Sequence, residues 1–326
     1  KSDYEMLFKN SKVFYKNNND DVLFFVKLKK LKFYREKESL NNMLKSNFEI
    51  FNVPFSIDVE SILENKKIIS KIKSKKIRLD IKNEFNYDEE NIDGLLDFRI
   101  INDNYEINYE INEKFLDFIS QDESFKGKID FKPFYFFSIL NFNQLNLKEI
   151  LVDNSIFINL INSELINNPN LNANFNINFK KILSSNYLKN FAIKTYLQEG
   201  SLFVRDSFID WNESVNIRLN EIEMISDKDQ QIKFTGFINF EFKDLTKFYS
   251  YYQISRNFRS NIKDIELDFI YELNNKKIIL DNIKIDSKSN EKINELINDF
   301  NGQNKNIFNK VTFRNFIKDF FIIYEG

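Results

Sequence analysis

The sequence predicts a mainly β protein with a few helices, built as an extended, curved antiparallel β-sheet (groove or solenoid-like) with an apolar concave face. Three observations predict it. Apolar and polar residues alternate with a period of two in many separate stretches, turn-forming residues separate these stretches, and few segments show helical spacing. At 326 residues the chain is long enough for two ordinary domains or one extended β structure.

The alternation is clear in both halves of the chain. Ile77, Leu79 and Ile81 alternate with charged residues, and in residues 171–179 (LNANFNINF) every even position is Asn. Residues 232–242 repeat the scheme with apolar residues and one Gly on one side. In a strand this spacing places the apolar side chains on one face of the sheet. One-sided strands are typical of antiparallel sheets.

The turns between these strands are expected to rest on Asn and Asp. The chain contains 6 Gly and 3 Pro, too few for so many turns. Asn- and Asp-rich segments lie at residues 102–104, 226–229 and 274–275. Both residue types tolerate left-handed backbone and bond to their own backbone, so we expect hairpins in a meander.

Helical spacing appears near residues 145–165, in residues 245–254 with Asp244 as N-cap, and in two C-terminal segments, 290–300 and 309–321. The predicted division of the chain follows from these helices. It comprises an N-terminal β region with a truncated start (1–142), a helical crossing segment (143–170), a C-terminal β region (171–289) and terminal helices (290–326).

Several β architectures satisfy this pattern. A sandwich buries its apolar faces between two sheets, and a membrane barrel turns them to lipid. An extended sheet leaves an apolar groove, and a solenoid closes it. The helical segments that interrupt the strands disfavour the barrel. Periodicity does not separate sandwich from groove.

Composition excludes several kinds of function. The chain has 47 basic and 49 acidic residues, so its charge favours no nucleic acid. It has no His and no Cys, which excludes Ser-His-Asp and Cys-His catalysis and the metal sites that these residues form. This narrows catalysis without excluding it, because carboxylates, Lys, Tyr or Ser could still carry it. With no catalytic residue set in the sequence, we expect no enzyme, no cofactor and no metal.

No apolar run approaches the roughly 20 residues of a membrane-spanning helix. The chain starts at Lys1 without a Met. Either the protein is soluble or an N-terminal anchor lies upstream of a truncated start, and the missing Met favours truncation.

From Gly200 onward the order of features resembles the C-terminal region of AsmA-like bacterial envelope proteins. The resemblance rests on three stretches, GSLFVRDSFIDWNESVNIRLNEIEM, IKFTGFINFEFKDLTKFYSYYQISRNFRS and DIELDFIYELNNKKIILDNIKIDSKSN. It implies a periplasmic protein anchored in the inner membrane of a Gram-negative bacterium, a role in outer-membrane biogenesis and a hydrophobic groove that conducts phospholipid. It implies no catalytic residues.

The candidate site residues are apolar side chains from the alternating strands. They are Ile129, Phe131, Phe175, Ile177, Phe179, Phe234, Ile238, Phe240, Ile265, Leu267 and Phe269. Arg256 and Arg259 are candidates for a phosphate headgroup. A solvated turn, or an ion pair with Asp264 or Glu266, is the favoured alternative for this Arg pair.

Other polar and aromatic features favour structural roles. Residues 88–90 and the pair Asp227 and Asp229 lack EF-hand spacing and are interpreted as solvated loops rather than calcium sites. Trp211, the single Trp, is expected to fill a gap at a strand end rather than mark an interface.

The leading hypothesis is a non-enzymatic envelope scaffold that binds or conducts phospholipid acyl chains along an apolar β groove. Its partners would be acyl lipids, envelope proteins and, through the anchor, a membrane. One alternative is a carbohydrate-active enzyme with a β-solenoid or sandwich fold that uses carboxylates. The other is a structural or adhesive surface β protein.

Overall fold

The computed structural model describes residues 4–17, 19–87, 92–100, 103–146, 155–183, 185–226, 231–302 and 310–325. Strands make up 61% of the chain, which confirms the mainly β class. Within the described ranges, nineteen strands belong to one open sheet, and four α-helices accompany it.

The chain divides into two compact units. Unit 1 comprises residues 1–141, 146–175 and 197–200, and unit 2 comprises residues 142–145, 176–196 and 201–326. The four-part division expected from the sequence is a different partition, and it stays a prediction.

Unit 1 is a meander in which each strand from β1 to the first part of β11 pairs antiparallel with the next. The strands are β1 (Glu5–Lys16), β2 (Val22–Arg35), β3 (Asn42–Ile50), β4 (Val53–Ile62), β5 (Lys67–Ser74), β6 (Leu79–Asn86), β7 (Ile92–Ile100), β8 (Asp103–Ile111), β9 (Phe115–Ser120), β10 (Phe125–Phe131) and β11 (Phe134–Leu145).

The register aligns the apolar residues of successive strands. Row 1 runs from β2 to β8 through directly paired residues, and row 2 lies beside it on the same face. Row 1 is Leu31, Ser46, Ile57, Ile72, Ile81, Phe98 and Tyr105. Row 2 is Phe33, Leu44, Val59, Ser70, Asn83, Leu96, Ile107 and Ser120.

One short helix, α1 (Ile156–Ile161), belongs to unit 1 within the described residues. The Ser155 side chain caps it by accepting from the backbone N–H of Ile158. The Asn159 side chain donates to the carbonyl of Lys76 at 3.0 Å, and the N–H of Glu164 donates to the carbonyl of Phe51 at 3.2 Å. The helix therefore lies at the ends of strands, beside two turns.

Unit 2 is built from the later strands and from three helices. Strands β12 (Asn172–Ile182) and β13 (Leu188–Gln198) are shared with unit 1. The others are β14 (Ser201–Trp211), β15 (Val215–Ser226), β16 (Ile232–Phe242), β17 (Asp264–Glu272), β18 (Lys277–Ile285) and β19 (Lys288–Ser289), which pair antiparallel in order. The helices are α2 (Leu245–Tyr252), α3 (Glu291–Gly302) and α4 (Lys310–Glu325).

The helices of unit 2 cover the apolar face of its strands. Helix α4 places Phe313, Phe316, Ile317, Phe320 and Phe321 at the i, i+3, i+4, i+7, i+8 spacing of an apolar stripe. These residues join a buried cluster with Phe248 and Tyr252 of α2 and with the strand residues that face them. Within the described residues, this cluster is the hydrophobic core of the unit.

Helix α3 bonds to the part of β18 that lies beyond its short pairing with β19. The Asn301 side chain accepts from the N–H of Leu280 at 3.1 Å and donates to the carbonyl of Leu280. The Asn294 side chain accepts from the N–H of Ile283 at 3.3 Å. These amides bond to backbone groups that a further strand would otherwise use, so they protect the edge of the sheet.

The predicted helices are present, with one change of extent. Residues 245–254 contain α2, and the Asp244 side chain accepts from the N–H of Thr246 at 2.9 Å as the expected N-cap. The terminal helices are α3 and α4. The helix near 145–165 is confirmed as the six-residue α1, whereas Leu145 ends β11 because its alternating neighbours continue the strand. Residues 147–154 lie outside the described residues.

Candidate apolar binding surfaces

The apolar face of unit 1 is uncovered among the described residues. Most members of rows 1 and 2 are half-buried; Ser46, Ile107 and Ser120 are the buried ones. The large buried hydrophobic cluster contains residues of unit 2 alone, whereas unit 1 has separate buried apolar residues such as Val53, Ile161 and Leu171. Helix α1 contacts turns at the strand ends. No second layer therefore covers these apolar rows within the described residues of unit 1.

Row 1 is long enough to hold an extended hydrocarbon chain. It crosses seven strands, from β2 to β8. Six inter-strand steps of about 4.8 Å give a path of about 29 Å. One leaflet of a bilayer spans roughly 15 Å of hydrocarbon. The row thus exceeds the length of an acyl chain in a leaflet.

Small residues shape this face, and strand alternation alone does not single them out. A Cβ on Gly94 would collide with the Tyr109 ring of the neighbouring strand, and a Cβ on Gly127 would lie 2.6 Å from the Phe118 ring. Ser138, which pairs with Gly127, is 1% exposed. Each aromatic ring therefore occupies the space above a small partner. In the sequence, the signal for this packing is that Gly and Ser occupy positions where the alternating pattern otherwise has a large apolar residue.

The opposite face of unit 1 is charged. Asp80 of β6 contacts Lys73 of β5 at 3.4 Å and Arg99 of β7 at 2.8 Å. Glu84 contacts Lys67 at 2.5 Å and Lys82 at 2.9 Å, and these hydrogen bonds lower the pKa of its carboxyl to about 2. Such ion pairs, within and between strands, suit a face that lies in water.

The unit 2 candidates lie on the face that the helices cover. Phe240 pairs with Ile265, Ile238 pairs with Leu267, and Phe234 stacks on Tyr271 with ring centroids 6.5 Å apart. Leu267 and Phe269 are each 8% exposed. Helices therefore cover this part of the predicted groove.

A cavity of about 310 Å³ lies between this face and the covering helices α2 and α4. Phe240, Ile265 and Leu267 from the candidate set form part of its floor, and aromatic residues of α2 and α4 form part of its roof. Ser185, Tyr251 and Tyr252 bring hydroxyl groups. None of the described residues that line it is charged.

The remaining apolar candidates are divided between the units. Ile129 and Phe131 are half-buried in β10, and Phe175 contacts Phe136 edge to face with centroids 5.0 Å apart, all in unit 1. Ile177 and Phe179 belong to unit 2, where Phe179 stacks on Phe142 at 5.1 Å.

The two candidate headgroup residues are exposed on a turn after α2 that contains a 3₁₀ segment, Arg256–Phe258. The Nε of Arg259 donates to the carbonyl of Ile254 at 3.0 Å, and its guanidinium lies 5.6 Å from the centre of the Tyr249 ring. Arg259 thus has structural contacts, though not the ion pair considered above. A headgroup role for the pair stays a prediction.

Trp211 ends β14 and is 7% exposed. Its ring stacks on Tyr187 at 5.9 Å and contacts Phe248 and Tyr251 edge to face at 5.5 and 5.3 Å. The prediction that it fills space at a strand end is confirmed. It also lines the cavity.

Acidic residues form no metal site in the part of the chain that the structure describes. The two calcium candidates, residues 88–90 and the Asp227 and Asp229 pair, lie outside the described residues. A polar cavity of about 670 Å³ on unit 1 is lined by Asp80, Asp97, Glu106 and Asp122 among others. Hydrogen bonds from Ser120 and Ser124 lower the pKa of Asp122 to about 2.

None of the helices in the described ranges is long and apolar enough to cross a membrane. No family model, curated protein or solved structure matches the chain.

Proposed function

We propose that this chain is a non-enzymatic scaffold of the bacterial envelope that binds phospholipid acyl chains on the apolar face of unit 1. The observation that carries the proposal is the pair of uncovered rows on that face. A soluble protein rarely exposes a large contiguous apolar surface unless something binds there. Burial of hydrocarbon stabilises the complex by about 0.8 kcal/mol per fully buried CH₂ group.

The rows also suit movement of a chain along the sheet. Their polar members, Ser46, Ser70, Asn83 and Ser120, are uncharged, so an acyl chain that shifts from strand to strand meets no charged group in the rows. The charged face lies on the other side. This arrangement supports conduction as well as binding.

The envelope setting of the proposal comes from the AsmA-like resemblance. In this setting the protein is periplasmic, held at the inner membrane by an anchor, works with envelope proteins, and supports outer-membrane assembly or homeostasis. Arg256 and Arg259 would meet the phosphate headgroup.

The carbohydrate-active alternative has less support. A glycosidase needs a carboxylic acid whose pKa is raised so that it can donate a proton. Asp80 is ion-paired with two cations, and the pKa of Asp122 is lowered instead. Asp122 therefore does not supply the raised carboxyl pKa that this chemistry needs.

The proposal is tested by analysis of the lipids that copurify with the protein. We expect phospholipid in native mass spectra of the wild-type chain, and a several-fold loss in the variant Ile81→Asp, which places a charge in row 1. The matched control is Lys71→Asp, because Lys71 lies on the neighbouring strand β5 and is exposed on the opposite face of the sheet. If Ile81→Asp fails to fold, Ile81→Ser serves instead. Lipid-free wild-type protein, or equal lipid in the row and control variants, would contradict the proposal.

A further inference from the structure

We infer that the cavity of unit 2 is a binding site for a single uncharged apolar chain, such as a fatty alcohol or a fatty-acid ester. The inference rests on the cavity itself, so it stands or falls separately from lipid binding on unit 1.

The cavity is too large to be a packing defect. Protein interiors are close-packed, and voids larger than a water molecule are few. A volume of about 310 Å³ falls at the lower end of the range for small-molecule sites. Apolar cavities bind apolar molecules of matching size.

The walls select the shape of the ligand. Phe240 pairs directly with Ile217 on one neighbouring strand and with Ile265 on the other, so the three side chains form one continuous line along the sheet. Phe316 and Phe320 lie one turn apart on α4 and line the opposite wall. A floor and roof that are both apolar along their length favour a linear hydrocarbon.

The same walls select against charge. Neither Lys nor Arg is among the described residues that line the cavity, so a carboxylate or phosphate buried there would lack a counter-ion. The polar side-chain groups of the lining residues are the hydroxyls of Ser185, Tyr251 and Tyr252 and the indole N–H of Trp211, and all of them are neutral. Burial raises the pKa of Tyr252 well above its ordinary value, so this hydroxyl stays neutral at physiological pH. Neutral hydroxyls match a neutral oxygen-containing head.

Trp211 allows a direct test, because it is the single Trp of the chain and lines the cavity. The probe is a brominated C10 alcohol, since bromine quenches Trp fluorescence at contact. We expect saturable quenching at one alcohol per chain. The brominated acid of the same length is ionised at neutral pH. It should need at least a tenfold higher concentration to reach half of its maximal quenching.

Two variants test whether the ligand binds inside the cavity. Ile317→Phe enlarges a wall residue of the cavity and should abolish the quenching, whereas Ile322→Phe changes a residue on the same helix that is 45% exposed and should leave it intact. Leu188→Phe, also a wall residue, replaces Ile317→Phe if the latter fails to fold. Quenching that does not saturate, that is equal for alcohol and acid, or that survives both filling variants would overturn the inference. Ile81→Asp changes unit 1 and should leave the quenching unchanged. A failure of lipid binding on unit 1 can therefore be told apart from a failure of the cavity site.

Discussion

Gly127 occupies a position in β10 that no larger residue fits. A Cβ there would collide with the carbonyl of Phe137 and with the ring of Phe118 on the neighbouring strand. Its contribution is therefore space rather than backbone freedom. The aromatic ring of one strand can lie over the next strand only because the side chain below it is missing.

We expect Gly127→Ala to lower the free energy of unfolding by about 1–3 kcal/mol, since the new methyl group overpacks the sheet. Gly302→Ala is the control, because a Cβ there meets nothing within 4 Å. Urea unfolding of the two variants measures the difference. Equal stabilities would contradict the packing role of Gly127.

Asp122 organises the turn between β9 and β10. Its carboxylate accepts from the hydroxyl of Ser120 at 2.7 Å and from the hydroxyl and N–H of Ser124 at 2.6 and 3.0 Å. The hydroxyl of Ser120 in turn accepts from the N–H of Phe125 at 2.9 Å. These bonds favour the anion, so the folded-state pKa lies below the ordinary value of 3.8.

A depressed pKa means that the anion stabilises the fold above about pH 4 and that this contribution is lost as pH falls toward 2. We expect Asp122→Ala to cost about 1 kcal/mol or less at pH 7, because water screens this exposed carboxylate. The cost should shrink between pH 4 and pH 2 in urea unfolding curves. Glu113→Ala, in the exposed preceding turn, is the control. A cost that is independent of pH would contradict the role of the charge.

At the scale of elements, helix α3 bonds through its asparagines to the backbone of β18. Asn301→Ala leaves both backbone groups of Leu280 without this partner, so we expect a loss of about 1–3 kcal/mol in the free energy of unfolding. Asn298, exposed on the same helix, provides the control Asn298→Ala. Thermal unfolding followed by circular dichroism compares the two, and equal midpoints would show that the edge bonds do not stabilise the protein.

The elements themselves could largely be predicted from the sequence. The alternation of residues 232–242 marks β16, and Asp244 marks the start of α2, because both signals are local. The role of Asn294 and Asn301 could not be predicted, since an edge exists only once strands are ordered in a sheet. The helix near 145–165 proved short for a similar reason: weak helical spacing competed with the strand that ends at Leu145.

At the scale of the whole molecule, the sequence predicts which side chains belong to the apolar face. It does not predict whether helices cover that face. Ile81 and Ile265 both sit in alternating strands, and period two shows that each faces an apolar side. Ile265 is roofed by helices, whereas Ile81 lies on a face without a second layer among the described residues. Tertiary packing decides between these outcomes, and strand periodicity carries no information about it.

The face of unit 1 can be probed directly because the chain contains no Cys. Ser70→Cys places a unique thiol in row 2, and Lys71→Cys places one on the opposite face, one residue away. Each thiol is labelled with bimane, and monomeric phosphatidylcholine with nitroxide-bearing acyl chains is added as the quencher. The proposed function predicts saturable quenching at position 70 and little at position 71. Equal quenching at the two positions, or stronger quenching at position 71, would contradict the claim that the apolar face of unit 1 binds acyl chains.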